Sequence, residues 1–151
     1  MPTNLTTYLH DHLAGAQFAT SLLSDLSQQQ IDEPLARFAA ELLVEIEEDQ
    51  QTLEGFLSHL DSSPSVMKEA SAWLTQKAAR MKLQLSSDPF SQFETLELLS
   101  LGILGKAALW KAIQNLSLAN DLDFPTLIDR AARQHSIVEE LRLDFAKRVL
   151  E

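Results

Sequence analysis

Two histidines and three carboxylates stand where helical periodicity otherwise calls for apolar side chains. His12 falls among Leu5, Leu9, Ala16, Ala19 and Leu23. Asp49 falls among Phe38, Leu42, Leu53, Phe56 and Leu60, with Glu45 one turn before it. His135 falls among Ile128, Ala131, Val138 and Val149, with Glu139 one turn after it. Residues three and four apart share one side of a helix, so each group interrupts an apolar stripe with a side chain that titrates or binds metal. Burying such groups is costly unless each finds a partner. In one arrangement they pair with each other, His12 with Asp49 and His135 with Glu139, and hold the helices in register. In the other they share an ion, since two imidazoles with one to three carboxylates suit zinc, manganese or iron. The paired, structural layer is the expectation, with no cofactor and no catalytic residue. A metal site formed by His12, Glu45, Asp49, His135 and Glu139, in a metal-dependent oxidase or metal-handling protein, is the alternative. The sequence offers neither a Ser-His-Asp triad nor a glycine-rich phosphate loop.

The elements that carry these groups are helices. The chain has 151 residues with only four glycines and five prolines, and no strand-like alternation. Pro64 follows Ser63 and Pro89 follows Asp88, while Asp32 and Asp123 precede Pro34 and Pro125 by two. A capping side chain with proline in the first turn marks a helix start. The pattern predicts five helices, at about 4–29, 33–60, 64–83, 89–118 and 124–150, in one all-α domain spanning the chain.

Tight links make antiparallel hairpins of the first two and last two long helices. The segment of about 30 residues between them is superfluous in an up-down-up-down bundle. It is needed in an up-down-down-up bundle, where about 20 helical residues return the chain through about 30 Å. Trp73, Leu74, Ala70, Val66 and Met81 supply that connector with an apolar stripe. Counting along both hairpins then sets His12, Asp49, Gly105 and His135 at one height. It also sets His135 beside Lys106 and Glu97 level with Arg142, as an ion pair.

A crossover bundle with a polar layer midway along it resembles the ferritin-like superfamily, over essentially the whole chain and by architecture. In that family a Glu from each of two helices and a Glu-x-x-His from each of the other two hold two metals. The resemblance implies that His12 takes the first-helix Glu position. The second helix would offer Glu45 and Asp49, and the fifth His135 and then Glu139 in inverted order. The fourth helix would bring only Ser100 near the layer, with Glu97 about two turns away. The chain contains no Glu-x-x-His.

From Leu96 to Trp110 only Glu97, Ser100 and Lys106 are polar. The fourth helix is therefore expected to be the most buried, with an apolar surplus that predicts a homodimer. Gly102 and Gly105 would each weaken an exposed helix by about 1 kcal/mol, which suggests close helix packing there. His10 and His59 point off the apolar stripes and are expected in solvent. Tyr8 lies one turn before His12, and Trp73 and Trp110 are expected to pack.

Twelve basic against 22 acidic residues leave a net charge of −10, which disfavours contact with nucleic acid. The charge is uneven, with six acids and no base from Glu41 to Glu54 and four bases with one acid from Lys68 to Lys82. Zero cysteines, no basic leader-like start and no apolar run of about 20 residues predict a cytoplasmic protein that does not enter a membrane.

Overall fold

The computed structural model describes residues 3–29, 32–60, 88–118 and 121–151, and all of its regular structure is helical. Four helices follow one another: α1 (Asn4–Gln28), α2 (Glu33–Leu60), α3 (Pro89–Gln114) and α4 (Phe124–Leu150). They form two compact units, one within residues 1–84 and the other within 85–151. The first unit packs α1 against α2 and the second packs α3 against α4. The expected connector helix at 64–83 lies outside the described residues, as does the basic stretch from Lys68 to Lys82. No helix among the described residues is long and apolar enough to cross a membrane.

Helix starts follow from local chemistry. The Thr3 hydroxyl accepts from the Thr6 N–H at 3.1 Å, and the Asp32 carboxylate accepts from the Leu35 N–H at 2.9 Å. Asp88 accepts from the Ser91 N–H at 3.0 Å, and Asp123 from the Thr126 N–H at 3.2 Å. Each side chain satisfies an N–H that the first turn leaves without a carbonyl. These bonds favour the charged form. The Ser91 backbone N–H holds the Asp88 carboxyl below its ordinary value, and the Thr126 hydroxyl does the same for Asp123.

The inward side of α2 runs Leu35, Ala39, Leu42, Ile46, Asp49, Leu53 and Phe56, all buried. Alternating steps of four and three keep one seam facing a partner helix. In α4 the same repeat buries Phe124, Ala131, Gln134, Val138 and Phe145. The inward side of α1 is rotated from the expected stripe. His10 and Leu13 are buried and His12 is half-buried. His10 was expected in solvent; it is only 8% exposed, and neither ring nitrogen has a hydrogen-bond partner among the described residues. His59 is exposed as expected.

The end of α3 differs from expectation. The helix ends at Gln114 rather than near 118, because Asn115 donates its side-chain amide to the Lys111 carbonyl at 3.2 Å and so competes for the backbone ladder. In agreement with expectation, α3 buries eleven residues, more than any other described helix, and its apolar surplus is turned outward. Leu98 is 36% exposed, Leu101 59% and Leu104 48%. A Cβ built on Gly102 or Gly105 meets nothing within 4 Å, so packing among the described residues does not require either glycine.

Candidate functional site

The polar groups that come together lie along the α3–α4 seam. Arg142 donates two hydrogen bonds to Glu139, through Nε and through Nη2 at 3.0 Å, and a third through Nη1 to Glu97 at 3.2 Å. The Ser100 hydroxyl donates to Glu139 Oε2 at 3.1 Å. The Arg142 guanidinium also lies 6.0 Å from the centre of the Phe93 ring, within range of a cation–π contact. Further along the hairpin the Lys106 ammonium donates to the side-chain oxygen of Gln134, which is buried. Short connections fix hairpin register, and the expected levels agree with these contacts. Glu97 meets Arg142, and Lys106 meets the residue next to His135.

The electrostatics follow from that geometry. The Arg142 hydrogen bonds hold the Glu139 carboxyl below its ordinary value, with smaller help from Ser100, the Arg142 charge and His135, and partial burial opposes them. Glu139 in turn raises the Arg142 guanidinium. A carboxylate with both oxygens engaged and its charged form favoured is a poor proton acceptor. Ser100 faces that carboxylate rather than an imidazole, so it lacks the base that activates a serine nucleophile. The cluster can lock register and neutralise charge; it is not built to move protons.

Of the five residues singled out, His135 and Glu139 are half-buried neighbours one turn apart on α4. Glu139 takes its hydrogen bonds from Arg142 and Ser100, while the His135 charge acts on it least. On α2, Asp49 is 4% exposed on the inward seam and Glu45 is half-buried. On α1, the His12 ring meets Tyr8 edge-on with centroids 4.6 Å apart. Among the described residues no group of three or more His, Asp or Glu side chains is placed to hold a metal ion.

Burial lowers the His12 pKa below its ordinary 6.5, and the neighbouring Asp11 charge opposes that shift only in part. Between 6.5 and the lower folded value the unfolded chain binds more protons than the folded one, so stability rises with pH across that window. It is complete above 6.5 and is lost as pH falls below it. The melting temperature is expected to drop on acidification from pH 7 to pH 5.5, and His12→Gln is expected to reduce that slope. An equal slope in the variant would assign the effect to another group.

Sequence reasoning missed Gln134 and the inward His10. Gln134 was detectable, because it stands four residues before Val138 and three after Ala131 in a row that is otherwise apolar. Comparison of the chain with protein-family models, curated proteins and solved structures finds no match.

Proposed function

We propose that this chain acts by association rather than by turnover. In this reading it is a ferritin-like up-down-down-up bundle whose central polar layer is structural. The observation that carries the reading is the division of labour on α3. Its polar side chains Glu97, Ser100 and Lys106 engage α4, while Leu98, Leu101 and Leu104 remain exposed. Exposed leucines grouped on one helix favour binding to another surface.

Sedimentation velocity at micromolar concentration tests the association, and the expected species is larger than the 16.9 kDa monomer. A monomer alone across the concentration range would remove the reading. The bundle arrangement requires α2 and α3 to run parallel. Spin labels at Glu33 and Phe90 should then lie close together, whereas antiparallel helices would separate them by about 40 Å. If the layer is structural, zinc, manganese or ferrous iron should not raise the melting temperature. A saturable rise that Asp49→Asn and His135→Ala both abolish would replace this reading with a metal site.

A further inference from the structure

The outward side of α3 has a pattern of its own. Glu94, Leu98, Leu101, Gly105, Ala108 and Ala112 alternate steps of four and three, the spacing that the inward seams use to face a partner helix. We propose that this outward seam recognises a second copy of itself, α3 packing antiparallel on α3 about a two-fold axis level with Ile103. The inference rests on the association reading above and supplies its partner and geometry.

Size and charge both select the antiparallel pairing. About that axis Leu101 of each copy lies opposite Gly105 of the other, and Leu98 lies opposite Ala108. Each large side chain meets a small one, as close-packed helices require. Parallel pairing would instead set leucine against leucine, then glycine and alanine against themselves, leaving the seam crowded at one end and hollow at the other. The exposed Glu94 comes level with Ala112 and beside Lys111 of the second copy, and the two-fold axis makes this contact twice. A parallel pair would bring Glu94 to Glu94 and Lys111 to Lys111, so the charges also reject it. The glycine acquires a purpose as well. Among the described residues nothing beyond the helix's own backbone and the glycine's chain neighbours lies within 4 Å of a Cβ built at Gly105, whereas the side chain of Leu101 from a second copy would occupy that space.

The chain has no cysteine, so Asn115→Cys introduces a single spin label into the full-length protein. The expected dimer places the two labels about 36 Å apart along the helix axis, against about 10 Å in a parallel pair. Leu101→Asp should leave helicity unchanged, and melting unchanged when the protein is dilute enough to be monomeric, because the side chain is exposed, while weakening the dimer by more than about 100-fold. Glu94→Lys or Lys111→Glu alone should weaken it, and mixing the two variants should restore it, because both cross-contacts then become attractive. A dimer with labels about 10 Å apart, or one indifferent to Leu101→Asp or to the charge exchange, overturns this geometry while association itself stands. A monomer at every concentration overturns both.

Discussion

Trp110→Ala is expected to destabilise the α3–α4 hairpin by about 3–5 kcal/mol, the range for deleting a large aromatic from a packed interior. The side chain is 1% exposed, and its ring lies 6.5 Å from that of Phe124 at the start of α4. It therefore packs beneath the connection that brings α4 back along α3, and its removal opens a cavity at the point where the hairpin is closed. Its indole N–H has no hydrogen-bond partner among the described residues. Trp110→Phe is accordingly expected to cost far less than Trp110→Ala, because it keeps a ring in the cavity and removes a buried donor left without an acceptor. Urea unfolding followed by circular dichroism gives both values. The comparison that gives them meaning is Leu101→Ala on the opposite side of α3, expected within about 0.5 kcal/mol of wild type when the protein is dilute. Equal losses at Leu101 and Trp110 would refute the division of α3 into an inward and an outward side.

That division marks the limit of what the amino-acid sequence discloses. Helix starts were legible because a cap is a local event: Asp32, Asp88 and Asp123 act on amides three residues away. The end of α3 was not, because Asn115 competes with the ladder through a side-chain bond that composition does not reveal. Register in the α3–α4 hairpin was legible to within a residue, since counting back from a short link suffices to set Glu97 beside Arg142 and Lys106 near His135. The orientation of α1 was not. Leu5, Leu9, Leu13, Leu22, Leu23 and Leu26 spread over a broad arc of the helix, and the orientation adopted takes His10 inside and leaves His12 at the edge. Hydropathy states what a side chain prefers and not where its cover will come from. For that reason the run of apolar residues that predicted the most buried helix, with an apolar surplus, did not say which side the surplus would take; Leu98, Leu101 and Leu104 are the exposed ones. The pairing expected for His135 and Glu139 was displaced by Arg142, whose planar fork makes two bonds to one carboxylate where an imidazole makes one.

Arg142→Met is expected to cost about 1–3 kcal/mol at pH 7, by a mechanism that a change of pH can isolate. The side chains of Arg142 and Glu139 are 21% and 28% exposed, so the variant leaves a partly desolvated carboxylate with Ser100 as its remaining donor and frees Glu97 as well. Methionine retains much of the packing of the arginine stem, so the loss is chiefly electrostatic. In the wild type Glu139 has a folded pKa below its ordinary 4.5, so the folded protein binds fewer protons than the unfolded chain between those two values. The stability this contributes is complete above 4.5 and disappears as pH falls through the folded value. Removing Arg142 removes the main cause of the depression, so the variant lacks most of that contribution at pH 7 and has less of it to lose on acidification. The gap between wild type and Arg142→Met should therefore hold from pH 6 to about 4.5 and narrow as pH falls from there to pH 3. Glu139→Gln should show a smaller loss at pH 7 with the same narrowing, since an amide can still accept from Arg142 but carries no charge to titrate. A gap for Arg142→Met that stays constant down to pH 3 would mean that the guanidinium acts through its place over the Phe93 ring, and that its ion pairs contribute nothing to holding α3 against α4.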